Sequence, residues 1–218
     1  SVSFAIKSGE KVAVCGRTGS GKSSLVMALF KLVPKIDGQI MIDDIDLDTV
    51  DSTTLRNRLS VVPQDTVLFS GTIRENLDPG NEYSDSSIWN VLRLCKLETV
   101  FASLSDTISD DGSNLSTGKR QLVCLARALI KNRSLLIMDE ATSSLDSESE
   151  QFINNIISST KQTVISVIHR VSSVLNFDKV IVLQSGVIQE IGSPKELVSK
   201  KNSLFNSLLK GEQEYTER

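Results

Sequence analysis

Gly16-Arg17-Thr18-Gly19-Ser20-Gly21-Lys22-Ser23 is the stretch that decides the fold of this chain. It fits G-x-x-x-x-G-K-[ST], and it lies between the apolar run Val12-Ala13-Val14-Cys15 and a helix-like segment from Lys22 to about Leu32. A phosphate-binding loop needs that strand–loop–helix setting. Glycines let backbone N–H groups turn inward around phosphates, and the helix N-terminus adds positive potential. Lys22 supplies a mobile cation for the β- and γ-phosphates, and the Ser23 hydroxyl is a candidate Mg²⁺ ligand. Residues Gly16 through Ser24 are therefore the candidate nucleoside-triphosphate-binding segment.

Downstream, Leu135-Leu136-Ile137-Met138-Asp139-Glu140 reads as a buried strand ending in two acids. Apolar strands ending in acids are common. Behind a matching phosphate loop, however, one acid can serve the Mg²⁺ shell and the next can orient or deprotonate an attacking water. Asp139 is the candidate for the first role and Glu140 for the second.

Between these motifs the pattern changes. Gln39 to Leu47 suggests two short strands around a turn at Asp43-Asp44, then a capped helix over Ser52–Leu59 and a strand at Ser60–Val62. Ile88, Val91, Leu92 and Cys95, and then Leu122, Leu125, Ala126 and Leu129, follow helical spacing. The stretch from about 70 to 130 is thus mostly helix, set between two α/β portions. Beyond it, Leu135–Met138, Thr163–Ile168 and Val180–Leu183 read as strands. They alternate with helices near Glu148–Ile157 and Pro194–Ser199, and Gln184-Ser185-Gly186 reads as a hairpin turn into Val187-Ile188. Alternating strands and helices predict an α/β fold with a mainly parallel sheet covered on both faces. The polar tail after Lys210 is expected to fray. Val2, Phe4 and Ile6 alternate as in a half-buried strand. A chain that starts in such a run without Met is expected to be a fragment of something longer.

Composition narrows the class. The chain has 218 residues, enough for a full core, and a formal net charge of −3 that gives no basic footprint for nucleic acid. No apolar stretch approaches the roughly 20 residues that cross a bilayer. Cys15, Cys95 and Cys124 are widely spaced and odd in number, which favours reduced, semi-buried thiols over a metal site or disulfide.

Leu115-Ser116-Thr117-Gly118-Lys119-Arg120-Gln121 resembles the signature of ATP-binding cassette proteins, usually Leu-Ser-Gly-Gly-Gln, with Thr117 and Lys119 at two customary positions. Val62-Pro63-Gln64 resembles the family's Q-loop, Ala141–Asp146 its D-loop and Ser166-Val167-Ile168-His169 its switch segment. The resemblance covers nearly the whole chain. It implies a P-loop NTPase (RecA-like) core with an antiparallel β subdomain and an inserted α-helical subdomain. The core lobe would span about 1–69 and 131–218, and the helical subdomain about 70–130. It also implies ATP and Mg²⁺ as ligands. Gln64 would be a Mg²⁺ or water contact and a hinge, Ser116 and Gly118 contacts to a partner's nucleotide, and His169, the chain's one histidine, a γ-phosphate contact.

Leu68–Pro79, ending Asn-Leu-Asp-Pro, resembles exporter-type cassettes of the multidrug-resistance-associated (C) branch, in which two unlike cassettes share one polypeptide. Glu140 after Asp139 resembles the second of these. The resemblance implies an ATP-hydrolysing motor at the cytoplasmic face of a membrane, working with transmembrane domains and an unlike second cassette. Its rivals are an ATP-gated or regulatory cassette of the same branch and a non-transport cassette. The aromatic residue on which such cassettes stack adenine is expected before Ser1, because Phe4 alternates with core positions. The acidic cluster Asp43–Asp51 lacks a calcium loop's glycine and reads as a solvated hairpin and helix cap. Trp89 lies on a packing face.

Overall fold

A computed structural model describes residues 2–168 and 170–216. Its centre is a six-stranded sheet ordered β10-β9-β1-β8-β7-β4, where β1 is Lys11–Cys15, β4 Leu59–Val62, β7 Leu135–Asp139, β8 Thr163–Val167, β9 Lys179–Gln184 and β10 Val187–Gly192. All neighbours are parallel except β10, which returns antiparallel to β9 through Ser185 and Gly186, both at positive φ. The parallel strands are continuous apolar runs because both of their faces are covered.

Alternate residues serve different cores. Val12 and Val14 of β1, Ile137 of β7 and Ile181 of β9 share one cluster with α1 (Lys22–Leu29) and α2 (Ser52–Arg58). Leu136, Met138 and Val164 face the opposite way, into the largest cluster, formed with α4 (Asp85–Leu94 in chain order after α3, Ile73–Leu77), α5 (Thr117–Ile130) and α6 (Ser147–Ser159). Ala13, Cys15, Val180 and Val182 pack with α7 (Pro194–Ser199) and α8 (Leu204–Thr216). Short antiparallel pairs complete the chain: β2 (Met41–Ile42) with β3 (Ile45–Asp46), and β5 (Gly71–Thr72) with β6 (Thr107–Ile108).

The expected hairpin turn is present, with Asp43 and Asp44 both left-handed. The acidic cluster acts as a set of caps: Asp51 accepts from the Thr53 and Thr54 amides at the start of α2, and Asp46 from Asp48. Trp89 packs against the large core cluster, as its spacing suggested.

Two expectations are corrected. Val2–Ile6 forms no ladder with any described strand, although Phe4 and Ile6 are half-buried against the core. Alternation reported which face is buried, not which strand pairs. The tail after Lys210 does not fray at once, since α8 continues to Thr216. That helix is held by Phe205 and Leu209, which are buried in the third cluster. No helix among the described residues is long and apolar enough to cross a membrane.

Candidate functional site

The carboxyl ends of β1, β8, β7 and β4 lie side by side, and register makes them level. Ala13, Ser166, Met138 and Val62 form one row across the sheet. The chain therefore leaves the sheet at one edge as Gly16, Ile168, Glu140 and Gln64, each two or three residues past that row. Open α/β sheets bind ligands outside the carboxyl ends of their strands. Four motifs far apart in sequence thus meet at one edge.

At the first of these exits the loop Gly16–Gly21 turns tightly, with the Ser20 amide donating to the Arg17 carbonyl at 3.0 Å. Glycine is required at Gly16, where φ is +152 and an added Cβ would lie 2.2 Å from the Leu183 carbonyl oxygen. Gly21, at φ 104, starts α1 without any side-chain cap. Lys22 is buried, and its Nζ folds back to donate to the Gly16 carbonyl at 2.9 Å. Ammonium carries three donors, so the cation is fixed over the loop with hydrogens left for phosphate oxygens. Ser20 is 4 % exposed, and its hydroxyl finds no partner among the described residues. Arg17, Thr18, Gly19, Ser23 and Ser24 are exposed in the loop and the first turn of α1.

Asp139 and Glu140 are half-buried at the end of β7. Glu140 has φ +51, and its amide donates to the Val167 carbonyl at 3.0 Å. A left-handed residue that is not glycine costs roughly 1–2 kcal/mol. Such strain concentrates at sites where orientation matters. Gln64 is exposed in the loop after β4. His169 lies outside the described residues.

Ser116 and Gly118 are not on this edge. Ser116 caps α5, its hydroxyl accepting from the Lys119 amide, and the nearest atoms to an added Cβ at Gly118 belong to Ser149 and Leu145, at 3.5 and 3.9 Å. Thr117 is exposed, and its hydroxyl accepts from Arg120. The loop 63–70 and the following α3 are tied to α5 by Arg127, which donates to the Val67 and Asn76 carbonyls and stacks over Phe69. Arg127 carried no sequence signal, because its partners lie on distant segments.

Helix ends carry a further pattern. Among the described residues, α1 and α5 are the helices whose N-termini have no carboxylate: neither has an acid in its first turn, and neither is capped by one. The others have Asp51, Glu75, Asp85, Asp146, Glu196 or, for α8, Glu190. The positive ends of α1 and α5 are therefore left for an anion from outside.

No group of three or more His, Cys, Asp or Glu residues among those described could hold a metal. Ser23, Gln64 and Asp139 instead offer a hydroxyl, an amide carbonyl and a carboxylate. These hard oxygen donors suit Mg²⁺, which keeps several waters and takes few protein ligands. All three cysteines are buried and free; burial pushes the Cys15 and Cys95 thiols up to about 12.

Comparison with known proteins converges on the same reading. Residues 1–143 match the family model described as ABC transporter. The chain is 44% identical over 217 residues to the human ATP-binding cassette sub-family C member 8, covering 97% of this chain and 14% of that protein. It is also 44% identical over 206 residues to rat ATP-binding cassette sub-family C member 2, covering 92% of this chain and 13% of that one. A solved structure titled as a bacterial Atm1-family ABC exporter with ATP bound superposes with a TM-score of 0.85 at 32% identity, covering 94% of this chain and 37% of that one. The chain thus spans about one seventh of the length of these curated relatives. A phosphate loop, an acid-ended strand and a capped Ser-x-Gly helix on one parallel sheet, together with these matches, show that the chain belongs to the ABC transporter family, whose members hydrolyse ATP.

Proposed function

We propose that this chain is the ATP-hydrolysing motor domain of an exporter. It would work at the cytoplasmic face of a membrane, coupled to transmembrane domains and paired with an unlike cassette on the same polypeptide. The observation that carries the reading is the pair of carboxylate-free helix ends, α1 behind the phosphate loop and α5 behind Ser116–Gly118. One suits the phosphates of the chain's own ATP, and the other suits those of ATP held by a partner. Residues of about 70–130 would form the arm that carries the second end toward that partner.

In this reading Gly16–Ser24 cradle the triphosphate, and Lys22 balances charge between the β- and γ-phosphates. Glu140 orients and deprotonates the attacking water, its left-handed backbone aiming the carboxylate. His169, assigned from its place after β8, contacts the γ-phosphoryl group. Mg²⁺, when bound, would be held by Ser23, Gln64 and Asp139 and would offset charge on the phosphoryl oxygens. Most of the rate gain comes from positioning and electrostatics. Glu140→Gln in the full-length protein is expected to retain ATP and lose turnover by about 10² or more. Near-normal hydrolysis by that variant would overturn the reading.

A further inference from the structure

Two loops leave the neighbouring strands β7 and β8: Glu140–Asp146 from one, and the segment from Ile168 into the 3-10 turn Val171–Val174 from the other. A single buried carboxylate joins them. Glu150, in the first turn of α6, is 7 % exposed. Its Oε1 accepts from the Thr142 hydroxyl at 3.1 Å, and its Oε2 accepts from Arg170 Nη1 at 3.3 Å. The same Arg170 nitrogen also donates to the Leu145 carbonyl at 3.1 Å.

An acid in a helix's first turn is already favoured by the helix dipole when it faces water. Burial adds a desolvation cost that only close partners offset. Here the partners come one from each loop. Thr142 stands two residues past Glu140, and the Ser143 amide donates to the Glu140 carbonyl, so the Thr142 anchor bears on the left-handed turn at Glu140. On the other side Arg170 continues from β8, whose Val167 carbonyl receives the Glu140 amide.

We propose that Glu150 is a positioning residue. By bracing Thr142 and Arg170 together it keeps the Glu140 loop and the turn that begins at Arg170 in one register, so that both are held against the phosphoryl group as a unit. The inference rests on the function proposed above.

The test uses the full-length protein in membranes. Glu150→Gln keeps an acceptor for Thr142 but sets an amide against the Arg170 guanidinium. It is expected to lower kcat about tenfold while KM for ATP stays within about twofold, the signature of lost positioning rather than lost binding. Arg170→Met should fall by a similar factor, and the double variant no further than either single one. Arg170→Lys, which keeps the charge on Glu150, should recover most of the rate. Thr142→Val exchanges only the hydroxyl for a methyl and should show the same kcat-selective loss, which keeps the test usable if Glu150→Gln fails to fold. Unchanged kcat, a rate that falls only in proportion to the folded fraction, or additive effects in the double variant would each overturn the proposal. Glu140→Gln in the same preparation separates the two ideas. If it keeps turnover, the catalytic reading itself fails; if it is inactive while Glu150→Gln and Thr142→Val turn over normally, only the bracing role fails.

Discussion

The Gly186 amide donates to the Ser20 carbonyl at 3.0 Å, so the phosphate loop near the start of the chain leans on the β9–β10 hairpin near its end. Leu183 of the same hairpin presses its carbonyl oxygen into the space a Gly16 side chain would need. The shape of the loop therefore depends on a long-range contact as well as on its own glycines.

Gly16→Ala is expected to abolish nucleotide binding and to cost about 3 kcal/mol or more, because the new Cβ would meet a backbone oxygen at 2.2 Å. Gly186→Ala tests the other side of the contact. At φ +74 with open space around it, it should cost about 1 kcal/mol and leave binding measurable. Thermal unfolding and nucleotide titration separate the two.

Gly118 behaves differently. An added Cβ there meets only ordinary contacts, 3.5 Å or more away, and alanine favours a helix over glycine by about 1 kcal/mol. Gly118→Ala should therefore match or exceed the wild-type Tm. Its turnover in the full-length protein should nonetheless fall, if α5 meets a partner's nucleotide. Unchanged turnover with a raised Tm would show that this helix end faces no ligand.

Thr117 and Lys119 give a related prediction. Both are exposed at the start of α5, adding bulk and a cation where the customary residues are glycine and glutamine. We expect Thr117→Gly with Lys119→Gln to raise turnover at the site this helix covers, bringing the two sites of the pair closer in rate. Nucleotide trapping at each site reads the outcome, and no change at either would show that Thr117 and Lys119 do not slow the site that α5 covers.

Glu190 makes stability depend on pH. Burial alone would raise its pKa, but hydrogen bonds from the Leu204 and Phe205 amides and the Ser203 hydroxyl outweigh this and hold it below the ordinary glutamate value. The native state thus favours the carboxylate. Its stabilisation is complete above the unfolded pKa and disappears as pH falls through the lower folded value. Glu190→Gln should cost about 1–2 kcal/mol at pH 7, with the gap to wild type closing below about pH 4. Denaturant unfolding across that range measures it.

The thiols supply a control on packing. With Cys15 and Cys95 pushed up to about 12 and Cys124 also raised by burial, the native protein at pH 8 should resist alkylation. Unfolding should expose all three to reagent.

Legibility followed range of interaction. The phosphate loop, the acid-ended strand and the Asp43-Asp44 turn were readable because adjacent residues carry their chemistry. The central parallel strands were readable because burial on both faces writes an unbroken apolar run, whereas the two-residue strands β5 and β6 fell inside a stretch read as mostly helix. Val2–Ile6 misled because alternation records one buried face and says nothing of a partner strand. The capping box of α3, Thr72 with Glu75, was open to reading as a helix start. The end of α8 was not, since its anchors Phe205 and Leu209 share a cluster with Ala13, Cys15 and Val180, residues far away in sequence.

Local chemistry along the chain therefore singled out the candidates for holding and cleaving a phosphate: Lys22, Ser23, Asp139 and Glu140 stand out by type and spacing. Tertiary structure alone decided that they share an edge, through a register that levels Ala13, Ser166, Met138 and Val62. It alone supplied the Gly186 support, the Arg127 tie and the Glu150 brace. Each of these joins residues far apart in sequence, and such partners are chosen by the packing of the sheet, for which no neighbouring residue leaves a sign.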